Sequence, residues 1–437
     1  MNSVVVLVPG IMGTELVLPD GEIVWPPKVR ETLFGYRRIS KLQDVSARPT
    51  QLISRVACVD FYRPLQSLLA QLGYKTGGDK VLLEHPYDWR LDLFDLADGL
   101  ADRLDGISAD RIMIVAHSMG GLISRLLLET PNFRNRPWFE RIVAFFALAT
   151  PHNGAPLALA RVLGLDSAFG ISGADFRQLA ANPAFPSGYQ LLPAPGEAAC
   201  WNVAVGTKLT TLDFYDEAVA ESLGMSPHLV TRARAVHDAL GSGSTPDHVR
   251  YFYFCGAGHK TVTRVNVDGR TAHMVTTPDA GDGTVPMWSA LPHAVQKQVV
   301  INEHVSVFRG DPFKRVFFRL FGVDAGIPEE APRDAASKLA VSLQRQIFEQ
   351  GMAIEAVLSS EVPFTHLTGH LVFEVRTEED VAGDTSVRIP ISYQGPAIPA
   401  LALSIEVVLE PGFYELRFEG DRAQEERVVI AVSAVDR

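Results

Sequence analysis

The stretch with the clearest potential chemistry is "MIVAHSMGGL", residues 113–122, where one serine follows an apolar run and precedes two glycines. A strand that turns sharply into a helix and presents a serine at the turn is a nucleophile elbow. Ala116 stands where the usual G-x-S-x-G pattern has its first glycine, and alanine is the smallest substitute for it. We predict that Ser118 is a nucleophile, provided that the chain also supplies a base, an acid and an oxyanion site.

The base must be a histidine late in the sequence. A serine hydroxyl needs a neighbouring base that a third group orients, and on an α/β-hydrolase sheet the chain order is serine, acid, histidine. Four of the 12 histidines follow the candidate acids: His293, His304, His366 and His370. His304 comes directly after the strand-like run "VQKQVVIN", and loops at strand ends carry the chemistry of open α/β sheets. We predict His304 as the base, the alternative being an ordinary loop histidine.

The candidate acids lie in "TPDAGDGTVP", which contains Asp279 and Asp282. Asp282 stands between Gly281 and Gly283, and glycines permit a tight turn that brings backbone close to an imidazole. Asp279 follows Pro278 and is more simply a turn residue. We predict Asp282 as the acid, although both aspartates could merely serve turn geometry.

An oxyanion site requires two N–H groups aimed at the tetrahedral intermediate. The amide of Met119, directly after Ser118, is one candidate. The corner "VPGIMG", which ends the first apolar run, offers the amide of Ile11 as the other. The alternative for this corner is plain chain reversal.

The apolar runs predict a doubly wound, mostly parallel α/β sheet over residues 1–322. Short β-branched runs are separated by segments of helical period, as is typical of strands covered on both faces. The predicted strands are Val4–Val8, Val81–Leu83, Ile112–Val115, Ile142–Leu148, Tyr251–Cys255 and Gln298–Ile301. Residues 19–57 and 155–250 interrupt this alternation and are interpreted as cap insertions over the site.

The end of the chain has a different pattern. Residues 323–351 are predicted to be a linker followed by a helix, Ala335 to Gln350. From residue 352 to residue 437 the period is two, in "HLVFEVRTE", "SVRIPISY", "LALSIEVVLEPGFYELRFEGD" and "RVVIAVSAV". Regularly spaced strands with Pro-Gly and Gly-Asp turns predict a small all-β, immunoglobulin-like sandwich.

Composition narrows the functional classes. The net charge of −11 over 437 residues argues against nucleic-acid binding, which requires clustered Lys and Arg. Three cysteines do not make a disulfide framework. No signal peptide or transmembrane segment is evident, so we expect a cytoplasmic protein, membrane-associated when active. The histidines lack metal-ligand spacing, and we predict neither a metal nor a cofactor.

Several motifs together resemble the lecithin:cholesterol acyltransferase and lysosomal phospholipase A family of α/β-hydrolases. The resemblance covers roughly the first 320 residues and depends on "VVLVPGIMGTEL", "HPYDWR", "VAHSMGG", "LATPHNGAP", "PSGYQLLP", "GDGTVP" and "EHVSVF". The resemblance implies a triad of Ser118, Asp282 and His304, with the amides of Ile11 and Met119 as oxyanion hole. It also implies cleavage of an acyl ester of a membrane lipid through an acyl-serine, with transfer to water or another alcohol.

Two further motifs leave alternatives open. Trp25 in "EIVWPP" is similar to a cap tryptophan near the family's lipid site, or it is simply buried in the cap. Asp88 and Arg90 of "PYDWR" could support the site, although a structural ion pair is favoured. The segment "DPFKRVFFRLF" is either a basic helix lying on a membrane or the last helix of the hydrolase packed on the sheet.

The leading functional prediction is a serine lipid acyl hydrolase, a phospholipase A or lipase, with acyl transfer as a variant. A soluble carboxylesterase or thioesterase is the alternative among enzymes. A third hypothesis is a partner-regulated, membrane-damaging effector whose β-sandwich is an interaction module for a protein partner. The paired cysteines and secretion signal of secreted relatives are missing, and the C-terminal β-sandwich lies outside the family pattern.

Overall fold

The computed structural model describes residues 2–206, 208–269, 271–292, 296–326, 338–424 and 427–434. Its strands are β1 (Ser3–Val8), β2 (Thr14–Val17), β3 (Ile23–Trp25), β4 (Arg48–Leu52), β5 (Arg55–Val56), β6 (Val59–Asp60), β7 (Lys80–Glu84), β8 (Arg111–His117), β9 (Ile142–Leu148), β10 (Cys200–Asn202), β11 (Thr210–Thr211), β12 (Arg250–Gly256), β13 (His259–Asp268), β14 (Thr271–Gly281), β15 (Gln296–Val300), β16 (Ala340–Leu343), β17 (Ile347–Glu349), β18 (Ile354–Arg376), β19 (Ala382–Ile405), β20 (Gly412–Gly420) and β21 (Val428–Ser433). Its helices are α1 (Val29–Phe34), α2 (Ile39–Leu42), α3 (Arg63–Gln71), α4 (Leu93–Asp105), α5 (Met119–Glu129), α6 (Pro156–Val162), α7 (Gly173–Ala180), α8 (Ser187–Gln190), α9 (Glu217–Ser222), α10 (Pro227–Ser242), α11 (Met287–Ala290) and α12 (Gly310–Leu320). Short 3-10 turns lie at Pro131–Phe133, Phe139–Arg141 and His304–Ser306.

The central sheet has six strands in the order β15-β12-β9-β8-β1-β7, and every neighbouring pair is parallel. Each of the six apolar runs singled out in the sequence forms one of these strands, so the predicted α/β sheet is confirmed. The strand order reverses direction about β1, which places loops from several strands at one edge of the sheet.

Both faces of the sheet are buried, which is why its strands are continuously apolar. Alternate residues of β1 belong to different cores: Val4, Val6 and Val8 pack on one face, and Val5 and Leu7 on the other. Because side chains alternate along a strand, a strand between two helical layers needs apolar residues at every position.

Helices α4 and α12 cover opposite faces. In α4 the buried side chains are those of the predicted apolar stripe: Leu93, Leu96, Ala97, Leu100, Ala101 and Leu104. In α12, Phe313 and Phe317 are fully buried and contact Phe254 of β12, with ring centroids 4.9 and 6.3 Å apart. The phenylalanines of α12 therefore pack on the sheet, which supports the second of the two interpretations of that segment.

The cap segments have their own small sheets. Residues 19–57 contribute to a three-stranded sheet in the order β3-β2-β4 and to helices α1 and α2. Residues 155–250 supply helices and strands β10 and β11, which join a four-stranded sheet in the order β11-β10-β13-β14. The hairpin β13–β14 lies beyond the predicted insertion and was missed.

The C-terminal β region, residues 338–434, is all-β as predicted. Its strands follow the order β16-β18-β20-β21-β17, and β19 pairs with β18 along most of its length. The segments "SVRIPISY" and "LALSIE" are thus one long strand, β19. Hydrogen bonds join all the described strands of this region into one sheet rather than two separate ones, and one buried cluster draws side chains from each of them.

The predicted helix from Ala335 to Gln350 is wrong where the structure describes it. Residues 335–337 lie outside the described residues, and the remainder contains β16 and β17. β16 pairs antiparallel with β18, and β17 pairs parallel with β21. Pairing at the sheet edges and burial of Val341, Leu343 and Phe348 outweigh the local helical propensity.

In the part of the chain that the structure describes, no helix combines the length and the apolar character needed to cross a bilayer.

Candidate active site

Ser118 occupies the turn between β8 and α5. Its backbone has φ 52° and ψ −125°, a left-handed conformation that is strained for a non-glycine residue. Its amide donates to the Leu148 carbonyl at 2.8 Å, and its own carbonyl accepts from the Gly121 amide at 2.9 Å. The residue is 5% exposed. These contacts hold the serine in the strained position that a nucleophile elbow requires.

The two glycines after Met119 allow α5 to lie close to the sheet. A Cβ at position 120 would lie 2.4 Å from the Pro9 carbonyl oxygen, and one at position 121 would lie 1.9 Å from Thr150 Oγ1. Ala116, by contrast, lies within β8, where it pairs with Val8 and Ala147. Alanine is therefore compatible with this elbow, whereas a side chain at position 120 or 121 is not.

Ser118, His304 and Asp282 form a hydrogen-bonded series. Ser118 Oγ lies 2.8 Å from His304 Nε2, and His304 Nδ1 lies 2.9 Å from Asp282 Oδ2. The His304 amide also donates to the Asp282 carbonyl at 2.9 Å. With Nδ1–H donating to the carboxylate, Nε2 is left to accept the serine proton.

The Asp282 carboxylate is itself held in place. Its Oδ1 accepts from the amides of Thr284, at 3.0 Å, and Val285, at 2.7 Å, and the residue is fully buried. Gly283 has φ 89°, and a Cβ there would lie 2.4 Å from the Gln344 carbonyl oxygen. The missed hairpin β13–β14 ends at Gly281, so it positions the acid.

The other candidates lie elsewhere. Asp279 is an exposed residue of β14. His366 and His370 are in β18 of the C-terminal β region. His293 lies outside the described residues. Among the described candidates, only His304 contacts Ser118, and only Asp282 contacts His304.

The two residues predicted to form the oxyanion hole, Ile11 and Met119, both line or adjoin the site of Ser118. Met119 is the first residue of α5, so its N–H has no acceptor within that helix. Ile11 lies in the turn that the Gly13 amide closes on the Gly10 carbonyl at 3.1 Å, and it lines the same cavity as Ser118. A Cβ on Gly10 would lie 2.8 Å from Ser118 Cβ, so glycine permits the close approach of this turn.

Sequence reasoning missed a buried chain of hydrogen bonds behind the serine. The Gly10 amide donates to the Tyr62 hydroxyl at 2.7 Å, and this hydroxyl lies 2.8 Å from His117 Nδ1. His117 Nε2 lies 2.9 Å from the His304 carbonyl oxygen and must donate to it. Tyr62 therefore donates to His117 Nδ1. Burial, with the neighbouring His304, lowers the pKa of His117 to about 3, so the ring is neutral.

Glu303 is a second buried group beside the histidine. It is 4% exposed, and one carboxyl oxygen accepts from the Val305 amide at 2.8 Å. Burial raises the pKa of Glu303 to about 7 against the opposing effect of that hydrogen bond.

A deep, mainly apolar cavity opens onto Ser118 and His304. It occupies about 1660 Å³, counted to its open mouth. Trp89 and side chains from both cap segments form its wall, the latter including Trp25, Phe169, Phe176, Leu179 and Leu191. This apolar lining, which extends from Ser118 to both cap segments, can accommodate an apolar group of a substrate.

Trp25 meets both descriptions given to it from the sequence. It is 1% exposed, it donates through Nε1 to the Met12 carbonyl at 2.7 Å, and it lines the cavity. Arg90 forms a bidentate ion pair with Asp88 and donates to the Leu42 carbonyl at 2.5 Å. Because Arg90 also lines the cavity, its hydrogen bond to Leu42 joins the first cap segment to the cavity wall.

Among the described residues, no group of three or more His, Cys, Asp or Glu side chains is arranged to hold a metal ion.

The parallel sheet, the elbow and the hydrogen-bonded series define an α/β-hydrolase fold of the lipase and esterase type. Residues 50–226 match the family described as lecithin:cholesterol acyltransferase, which confirms the resemblance seen in the motifs. No protein with a curated function matches the sequence.

Two solved structures are similar to parts of this chain. A Tle4–Tli4 complex matches with 14% identity and a TM-score of 0.48, over 66% of this chain and 89% of that one. A carboxylesterase from the thaumarchaeon Nitrososphaera gargenis matches with 11% identity and a TM-score of 0.29, over 74% and 89%.

Proposed function

We propose that this protein is a serine acyl hydrolase of lipids, a phospholipase A or lipase, that acts through an acyl-serine intermediate. The observation that carries this proposal is the series Ser118–His304–Asp282, which lies at the wall of a large apolar cavity. A nucleophile with an oriented base can attack an ester, and an apolar cavity beside it can hold the acyl chain of that ester.

The proposed reaction begins with attack of Ser118 Oγ on the ester carbonyl. His304 Nε2 takes the serine proton, and Asp282 stabilises the imidazolium that forms. The amides of Ile11 and Met119 donate to the developing oxyanion. When the tetrahedral intermediate collapses, His304 returns the proton to the departing alcohol, and the acyl group remains on Ser118. Water, activated by His304, then releases the fatty acid and restores the serine; another alcohol in place of water would give acyl transfer.

Cavity size favours long acyl chains over short ones. A carboxylesterase for short, soluble esters needs only a small pocket, whereas this cavity extends from Ser118 to aromatic residues of both cap segments. Burying each methylene of an acyl chain contributes about 0.8 kcal/mol, so occupancy of such a cavity favours long chains strongly. We therefore prefer hydrolysis of a lipid ester to the carboxylesterase or thioesterase alternative.

The proposal is tested with p-nitrophenyl esters from butyrate to palmitate and with a fluorophosphonate probe. We expect kcat/KM to rise with chain length in detergent micelles, and the probe to modify Ser118 alone, as located by peptide mass spectrometry. Ser118→Ala should abolish both signals. Ser124→Ala, which changes a buried serine of α5 that donates to the Gly120 carbonyl, should keep them. Preference for butyrate would favour the carboxylesterase alternative, and modification elsewhere would refute the assignment of Ser118.

A further inference from the structure

The C-terminal β region supplies part of the cavity wall. Ile347 of β17, Phe413 of β20 and Ala431 of β21 line the same cavity as Ser118 and His304. These residues follow Ser118 by more than two hundred positions in the chain. They lie outside residues 50–226, the segment that matches the lecithin:cholesterol acyltransferase family.

Alternation along the strands separates these residues from the core of the β region. Phe413 and Ala431 are direct cross-strand partners, and their neighbours Tyr414 and Ile430 form the next pair. Tyr414 and Ile430 belong to the core of the β region. Since side chains alternate between faces, Phe413 and Ala431 point to the opposite face. On a small all-β unit exposed to water that outer face should be polar, yet here it is apolar and buried.

The outer face is covered by the first cap segment and its neighbours. Phe413 and Ala431 share a buried cluster with Leu33, Cys58 and Val59. The Ala434 amide donates to the Leu33 carbonyl at 2.6 Å, which joins the end of β21 to α1.

Polar contacts also hold the C-terminal β region against other parts of the chain. Arg55 pairs with Asp380 at 2.7 Å, between the hairpin β5–β6 and the turn between β18 and β19. His259 Nε2 lies 2.7 Å from Ser342 Oγ, and Gln346 Nε2 donates to Glu303 at 3.3 Å. The β region therefore contacts the first cap segment, strand β13 of the hairpin that precedes Asp282, and Glu303, the residue before His304.

We propose that the C-terminal β region is a fixed wall of the acyl-binding site, and that Phe413 and Ala431 determine which acyl lengths the site accepts. This inference depends on the proposed function, since it names the substrate class of the same cavity. Ala431 is the smallest side chain that this wall presents, and it is completely buried. A larger residue at position 431 would project into space that a long chain needs, whereas truncation of Phe413 would enlarge that space.

The experiment compares Ala431→Phe, Phe413→Ala and the wild type on p-nitrophenyl butyrate and palmitate. We expect Ala431→Phe to lower the palmitate-to-butyrate ratio of kcat/KM by at least about tenfold, since single-methylene differences in apolar pockets change selectivity about 10- to 200-fold. Phe413→Ala should shift the optimum towards longer chains. Val408→Phe adds the same ring at an exposed site of the β region and should leave the ratio unchanged. Ile347→Phe serves as a second filling variant if Ala431→Phe does not fold, as judged by thermal unfolding.

A binding measurement separates this inference from the proposed chemistry. In the Ser118→Ala background, palmitate binding measured by calorimetry should weaken at least about tenfold with Ala431→Phe and stay unchanged with Val408→Phe. An unchanged ratio and unchanged palmitate affinity in folded filling variants would overturn the wall proposal while leaving the hydrolase proposal intact. Weakened binding in a chain that hydrolyses no ester would support the wall and contradict the hydrolase.

Discussion

The substitution Asp282→Asn probes the proposed orienting role of the carboxylate with almost no change in volume. Asp282 Oδ1 accepts from two backbone amides, and Oδ2 accepts from His304 Nδ1–H. An asparagine oxygen is required at the first position, because an NH₂ group there would face two N–H donors. The NH₂ group must therefore face His304.

That arrangement forces the wrong tautomer of His304. With an N–H donor opposite Nδ1, the ring carries its proton on Nε2, which can then no longer accept the proton of Ser118. We expect kcat to fall about 10⁴-fold, as the equivalent change does in the trypsin triad. This loss corresponds to about 5.4 kcal/mol of transition-state stabilisation.

The assay is steady-state hydrolysis of p-nitrophenyl esters, together with the rate of fluorophosphonate modification of Ser118. Urea unfolding should show that Asp282→Asn is folded. Asp279→Asn, the same change at the exposed aspartate of β14, should leave kcat within about twofold of the wild type. A folded Asp282→Asn variant with more than about one-tenth of wild-type kcat would contradict the orienting role of Asp282.

Three further predictions concern the surroundings of the site. Tyr62→Phe removes the hydrogen-bond partner of the Gly10 amide and of His117 Nδ1. We expect the free energy of unfolding, measured by urea denaturation, to fall by about 1–3 kcal/mol, and a loss under about 0.5 kcal/mol would contradict these hydrogen bonds. Gly10→Ala places a Cβ 2.8 Å from that of Ser118, so kcat should fall. Gly99→Ala, in open space on α4, should leave kcat unchanged, and equal kcat values for the two variants would contradict the close approach. The pKa of Glu303 is raised to about 7, so the folded state binds the proton more tightly than the unfolded one. The contribution of Glu303 to the free energy of unfolding should therefore be highest below about pH 4.5 and fall by roughly 3 kcal/mol towards pH 7. Glu303→Gln should remove this fall. Parallel pH profiles of the free energy of unfolding for the two proteins would count against this role of Glu303.

The six central strands could be predicted because the sheet leaves a strong local signal. Strands buried on both faces are continuously apolar, and the intervening helices show one apolar stripe, as in α4. The hairpin β13–β14 was missed although Asp268-Gly269, flanked by alternating residues, is a strong hairpin signal. The error at Ala335–Gln350 arose because β16 and β17 are edge strands whose partners, β18 and β21, are distant in sequence.

The candidate site likewise contains residues that local sequence patterns predict and residues that they do not. Ser118, Asp282 and His304 stand in local patterns of strand, turn and glycine that a sequence can display. No local pattern marks Tyr62, because its hydrogen bond with His117 depends on how α3 and the elbow pack. The contact of Phe413 and Ala431 with the cavity depends on docking of the β region against the cap, which no local pattern encodes.

Mass-spectrometric product analysis of mixed phospholipid vesicles would show whether Ser118 cleaves an acyl ester of a lipid. The vesicles are incubated with the wild type, with Ser118→Ala and with the control Ser124→Ala. We expect the wild type and the control to release the same amount of free fatty acid and of lysolipid, and Ser118→Ala to release none. Equal product from Ser118→Ala, or intact lipid in every sample while the fluorophosphonate probe modifies Ser118, would contradict this expectation.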